Sequence, residues 1–306
     1  MRLGDFARAW QISDAVLAER VRSGVDCRQW PRHLQFVWTG APLTGKRVLV
    51  RCYHGLGDTI QFIRFAGPLR TIAREVAVWV QPALLPLVAS APGVDRVLPL
   101  HDGTPDLDYD VDIEVMELPH ALRAGPEMVR GAVPYLMPEG LARIPPALAH
   151  EPLARVGIVW QSGSWNSQRS IPAEIIAPLA LVPGIRLFSL QRGPAQHEAA
   201  SIPAIDIGTD DIDGAAGLLK HLDLLITVDS MMAHLAGALG VPVWTLLHAE
   251  SDWRWMSGAE SLWYPTMRLF RQTSDGDWES VVDLVCASLA ARFPAPMPAG
   301  VAASAT

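Results

Sequence analysis

The sequence predicts an α/β fold of two parallel sheets that face each other across a cleft. Three observations lead there: short β-rich apolar runs alternate with helical stretches, the alternation occurs in two successive blocks, and a Pro- and Ala-rich segment at 137–152 separates the blocks. At 306 residues the chain is long for a single core, so two domains of ordinary size suit it.

Residues 1–45 read as a helical lead-in that ends in the Gly/Pro-containing loop 39–45. A first Rossmann-like domain covers 46–145, with strands expected at 47–52, 76–81, 96–100 and 111–116. Helices are expected between them at 59–73 and 83–90. The segment 137–152 reads as a linker. A second Rossmann-like domain covers 153–291, with strands at 155–160, 185–191, 204–207, 222–228 and 241–247. Its helices are expected at 173–181, 194–200, 211–221, 231–239 and 277–291. The Pro/Ala-rich residues 292–306 are expected to form a disordered tail.

Half of the residues are hydrophobic and 19% are charged, which is a globular composition. The net charge of −7 argues against a general nucleic-acid binder, which needs an excess of basic residues. Arginine carries nearly all the positive charge, since Lys46 and Lys220 are the only lysines. Cys27, Cys52 and Cys286 are far apart and show no CxxC spacing, as expected of reduced thiols in a cytoplasmic protein. The charged N-terminus does not read as a signal peptide, and no apolar run is long enough to span a bilayer. Peripheral membrane contact stays open.

In such sheets ligands bind beyond the carboxyl ends of the strands, so chemistry is sought in the strand-to-helix loops. The first is "YHGLGDTIQF" at 53–62. Gly55 and Gly57 let the backbone bend sharply or approach a ligand closely, and Asp58 sits at the mouth of a helix, where N–H groups favour negative charge. A tight turn with a capping Asp explains the same residues. As a dinucleotide fingerprint the stretch fails: the third glycine is missing and Gln81 stands where an acidic ribose ligand is expected.

The second is "DLLITVDSMMAHLAGALGVPVWTLL" at 223–247. A buried strand ends at Asp229 and a helix starts at once, so N–H groups near Ser230, Met231 and Met232 form an anion site. Ala233, Ala236, Gly237 and Ala238 thin that helix for close packing on the sheet. His234, in the first turn, is expected to be a neutral hydrogen-bonding group. Taken singly, Asp229 as a cap and His234 as a core histidine explain each residue. A third loop, "GIVWQSGSWNSQRSIP" at 157–172, offers Ser162, Ser164 and Arg169 to a pyrophosphate, although it also reads as a polar surface loop. Gln191, in "SLQRG", ends the next strand, where a ribose or base contact is expected.

Asp108, Asp110 and Asp112 have Asp-x-Asp spacing but read as a solvated strand edge, and Asp210, Asp211 and Asp213 as a helix N-terminal charge cluster. The nine histidines show no close metal spacing. Trp253, Arg254 and Trp255 either line the cleft or pack between the domains. His54 and His120 are weaker candidates for contact with a ligand, and His120 also reads as a core histidine.

The stretches "GLGDTIQFIRF", "VDSMMAHLAGALGVPVW", "SDWRWM" and "WYPTMRLFRQ", in this order, resemble the family 9, heptosyltransferase-like glycosyltransferases of bacteria. The branch often fused behind tetratricopeptide repeats is the most similar, and the likeness runs over 36–289. Residues 1–45 have room for only a helix or two of such an array.

The resemblance implies a two-domain GT-B fold, with the acceptor bound by the first domain and the nucleotide-sugar donor by the second. It implies hexosyl or heptosyl transfer without a metal or other cofactor, and a role in bacterial glycan synthesis. Asp58 would be the general base on the acceptor hydroxyl, and residues 229–234 would bind the donor diphosphate. Arg169 would assist at that diphosphate, and Gln191 at the ribose or base. The chemistry agrees, since inverting transfer needs a base for the incoming hydroxyl and charge stabilisation for the departing diphosphate. The acceptor would be a glycan, a lipid-linked sugar, a protein or a small molecule. Two rivals remain at this point, a nucleotide-sugar epimerase or hydrolase of the same fold and a catalytically silent nucleotide-sugar-binding scaffold.

Overall fold

The computed structural model of the chain describes residues 2–139, 144–163 and 165–295. Ser164 and most of the expected tail lie outside the described residues. Helix α1 (Phe6–Ser23) opens the chain, with the Asp5 carboxylate accepting the Arg8 N–H at its start and Gly24 in the left-handed conformation at its end.

The first sheet consists of β1 (Arg47–Arg51), β2 (Glu75–Val80), β3 (Arg96–Pro99) and β4 (Val111–Glu114), in the order β3-β2-β1-β4 with every pair parallel. The helix expected at 59–73 is two helices, α2 (Leu56–Phe62) and α3 (Ala66–Ile72), joined by a tighter turn at Ile63–Phe65. Pro68 explains the break, because its ring cannot sit over the Arg64 carbonyl in a continuous α-helix. Helices α4 (Leu85–Ala89), α5 (Leu118–Ala121) and α6 (Pro126–Arg130) complete this half. The expected linker contains a helical turn, α7 (Pro146–Ala149), which Pro at its first position favours.

The second sheet consists of β5 (Ala154–Val159), β6 (Ile185–Ser189), β7 (Ile205–Asp206), β8 (Leu224–Val228), β9 (Val243–Leu247) and β10 (Met267–Arg271). Its order is β10-β9-β8-β5-β6-β7, all parallel. Helices α8 (Ala173–Ile176), α9 (Ile212–Leu219), α10 (Met231–Ala238) and α11 (Trp278–Arg292) flank it. The stretch expected as one helix at 173–181 tightens after Ile176, where Pro178 lacks the N–H that would bond the Glu174 carbonyl. The stretch at 194–201 is likewise a 3₁₀ helix.

Every residue of β8 and β9 is buried, as a strand covered on both faces requires. One apolar cluster runs from the helix side of the first sheet through Ile60 and Phe62 of α2 to Ala233 and Leu235 of α10 and on to the near face of the second sheet. A separate cluster fills the far face, between that sheet and α11. The two halves are therefore packed on each other through α2 and α10.

Candidate active site

The connections of each sheet run away from one point, between β1 and β4 in the first and between β5 and β8 in the second. Loops leave such a point in opposite directions and open a crevice at the carboxyl ends of the strands. The loops after β1, β5, β8 and β9 carry the site.

After β1 the chain turns at His54 and enters α2, with Gly55 in extended conformation as its first boundary residue. The Gln81 amide donates to the His54 carbonyl at 2.7 Å, and Thr59 Oγ1 donates to Gln81 Oε1 at 3.1 Å. The residue that a dinucleotide fold would use on ribose here holds a loop. His54 Nδ1 lies 2.8 Å from Oε1 of Glu114, a fully buried carboxylate at the end of β4. Burial pushes the Glu114 carboxyl up, against the opposing pull of His54. Burial works against charge on His54, but the Glu114 carboxylate together with Asp58 and Glu117 outweighs that and raises the imidazole above its usual value.

Asp58 occupies the third position of α2, and its Oδ2 accepts the Gly55 N–H at 3.0 Å. It is thus the local cap that the sequence allowed. Its other oxygen, Oδ1, accepts Arg254 Nη2 at 2.9 Å from the turn after β9, across the gap between the sheets. Asp58 therefore faces the second domain.

On that side β8 ends at Val228, Asp229 follows, and Ser230 bounds α10. The Ser230 hydroxyl is bonded to Thr227 Oγ1 at 3.0 Å, so no side chain caps the helix and its entry remains open to an anion. Arg169 reaches across the second switch point, donating from Nη1 to the Asp229 carbonyl at 3.1 Å, with Trp165 stacked 4.2 Å from its guanidinium. Its Nε is buried without an acceptor. Burial lowers the Arg169 guanidinium from its ordinary value, while Asp229 and Asp252 pull it back. Burial likewise raises the Asp229 carboxyl, opposed by the Trp255 indole and by Arg169 and Arg254.

Beside the start of α10 lies a cavity of about 450 Å³. Leu56 and Ala83 line it from the first half, and Ser162, Gln191, Ser230, Met231 and Met232 from the second. The Ser162 hydroxyl is buried with no partner. Gln161, Leu190 and Gly208, from the loops after β5, β6 and β7, also line it.

Several expected residues have other duties. Gly57 has a packing duty: a side-chain carbon there would come within 2.9 Å of His234 Cδ2, so this glycine lets α2 pack on α10. His234 is buried between the halves, stacked on Trp255 at 5.1 Å with Nδ1 3.0 Å from the Tyr264 hydroxyl. Burial drives its imidazole well below the usual value, and neighbouring arginines add to this, which leaves it neutral. The Gln191 amide is engaged by backbone, Oε1 accepting from the Trp160 and Gln161 N–H groups and Nε2 donating to the Arg192 carbonyl. It shapes the cavity wall more than it offers a free contact. His120 is the core histidine, bonded to Asp14 at 2.9 Å and packed against Trp10 and Trp38 under α1. Asp112 is not solvated but buried against Arg51 at 2.8 Å. Asp211 caps α9, as its place in a charge cluster implied.

Glu114 had no assigned role in the sequence, and Arg254 was read only as lining the cleft or packing between the domains, without a partner. The signal for Arg254 was its place in "SDWRWM", directly after a strand end, but its partner Asp58 is 196 residues away. Among the described residues no group of three or more His, Cys, Asp or Glu side chains could hold a metal ion, and no helix is long and apolar enough to cross a membrane.

Residues 195–264 match the sequence model of glycosyltransferase family 9 (heptosyltransferase). Protein FlbA of Caulobacter vibrioides is 28% identical, with 82% of this chain and 48% of FlbA covered, so the chain spans about half the length of that curated relative. Among solved structures, the E. coli ADP-heptose lps heptosyltransferase II superposes with a TM-score of 0.57 at 15% identity, covering 81% of this chain and 98% of that one. The E. coli heptosyltransferase WaaC with ADP superposes with a TM-score of 0.51 at 15% identity, over 81% and 99% of the two chains. The architecture is the GT-B fold that the sequence resemblance implied.

Proposed function

We propose that this chain is a glycosyltransferase that moves a hexosyl or heptosyl unit from a nucleotide-sugar donor to an acceptor hydroxyl, with inversion at the anomeric carbon. The observation that carries the reading is the placement of Asp58, in the first turn of α2 at the crevice, opposite Arg169, Asp229 and the uncapped entry of α10. The likeness of residues 195–264 to a heptosyltransferase family and the ADP held by one solved relative support the donor class.

In this reading the nucleoside occupies the cavity beside α10, and the diphosphate lies at the helix entry near Arg169. The sugar spans the gap with its anomeric carbon toward Asp58. The acceptor oxygen attacks that carbon as its proton passes to the Asp58 carboxylate. The bond from the anomeric carbon to the diphosphate oxygen breaks, and its electron pair leaves with the diphosphate, stabilised by Arg169 and the N–H groups of α10. Arginines and helix N–H groups offer the charge that a metal ion supplies elsewhere.

A thermal-shift screen with ADP-, UDP-, GDP- and CDP-sugars tests the donor class. A true donor present at one hundred times its dissociation constant stabilises the fold by about 2.7 kcal/mol. Release of nucleoside diphosphate from that donor should then fall by roughly 10²–10⁴-fold in Asp58→Ala. No stabilisation by any nucleotide sugar, or unchanged turnover in Asp58→Ala, would overturn the proposal.

A further inference from the structure

The ion pair between Asp58 and Arg254 ties a loop of the first sheet to a loop of the second, and it occupies the candidate base. Oδ2 of Asp58 is held by the Gly55 N–H at 3.0 Å and Oδ1 by Arg254 Nη2 at 2.9 Å. Each oxygen thus already accepts one hydrogen bond, and one of the two donors is a cation.

Arg254 is placed to change partners. Its backbone is pinned, because its carbonyl accepts the Trp263 indole N–H at 2.8 Å and its N–H is taken by Asp252 Oδ1 at 3.0 Å. Its head group is shared: Nη1 lies 3.5 Å from Asp252 Oδ2, while Nε is buried with no acceptor. The rings of Trp253 and Phe62 lie 5.5 and 5.8 Å from the guanidinium. The side chain is only 12% exposed, which strengthens its pull on any anion that enters. Arg169, the cation at the start of α10, is close enough to Arg254 for the two to repel, so an anion between them would relieve that repulsion.

We propose that Arg254 is a donor-responsive latch on Asp58: the donor diphosphate and the Asp58 carboxylate compete for its guanidinium, and Asp58 is released to act as a base only once a donor is bound. This rests on the glycosyl-transfer reading above and adds an order to it, donor before acceptor. Two anions that share one cation are coupled, and the coupling is reciprocal. Removing the carboxylate charge should therefore tighten diphosphate binding, and that gain should vanish once the Arg254 guanidinium is gone, which simple relief of repulsion between two anions would not require.

Isothermal titration of the full chain with ADP, UDP, GDP and CDP tests this, with melting curves confirming that each variant folds. For the diphosphate that binds the wild type best, Asp58→Asn should bind roughly three- to tenfold tighter, although it is the variant that loses turnover. Arg254→Gln should bind about tenfold weaker, and adding Asp58→Asn to it should change nothing further. If Arg254→Gln does not fold, Arg254→Lys serves in its place, with a smaller loss and a smaller gain on removing the carboxylate. Wild-type-like affinity in Asp58→Asn, or a gain that persists without the Arg254 guanidinium, would overturn the latch and leave the transferase reading standing. Failure of all four diphosphates to bind the wild type would instead remove the donor reading, and the latch with it.

Discussion

His234 fills the space that a side chain on Gly57 would need: a carbon added there would lie 2.9 Å from His234 Cδ2 and 3.4 Å from the Met231 Cα. The halves of the molecule meet at this point, with α2 against α10. The glycine that looked like a ligand-approach residue is a helix-approach residue. Gly57→Ala must push the imidazole off Trp255 or part the two helices. Overpacking of this kind costs about 1–3 kcal/mol, and urea unfolding should show a lower midpoint for the variant. An unchanged midpoint would mean that α2 and α10 separate at no cost and that their contact does not hold the halves together.

Arg169 should matter to ligand binding far more than to folding. Its Nη1 donates to the Asp229 carbonyl, and its buried Nε has no acceptor to lose. A charged hydrogen bond is worth about 1.5–3 kcal/mol, so Arg169→Ala should weaken nucleoside diphosphate binding by roughly ten- to hundredfold. Titration calorimetry on the variant reads this directly. Unaltered affinity would place the diphosphate elsewhere than the entry of α10.

The legibility of the sequence followed the range of the interactions. Strands such as β8 and β9 were readable because a doubly covered strand must be apolar along its whole length, and that is local information. β10 was not, since Met267–Arg271 carries two arginines and lies at the sheet edge. The helix breaks at Pro68 and Pro178 follow from a local rule that the hydrophobic pattern overrode. At the site, Asp58, Arg169 and Asp229 stood out because each sits where a strand ends and a helix starts. The pairing of Asp58 with Arg254 joins residues 196 positions apart, and no spacing rule connects them. Gln191 was placed on the right wall, but the backbone groups that consume its amide could be seen only once the loops were assembled.

His54 and Glu114 form a pair that should make stability depend on pH. Burial works against the charged imidazole, but the Glu114 carboxylate at 2.8 Å, aided by Asp58 and Glu117, outweighs it and raises the imidazole above its ordinary value. The folded state therefore holds that proton more tightly than the unfolded chain does. Its contribution is complete below the ordinary histidine value of about 6.5 and is lost as the pH rises through the raised folded value. Glu114 is raised by burial, so the folded state also favours its protonated form. Stability from this group likewise falls as pH climbs from the ordinary glutamate value of about 4.3. Glu114→Gln should lower the His54 titration midpoint followed by NMR, with the resonance assigned by its absence in His54→Gln. It should also flatten the loss of stability above about pH 6.5. A His54 midpoint that does not move when the carboxylate is removed would show that something other than Glu114 holds its proton.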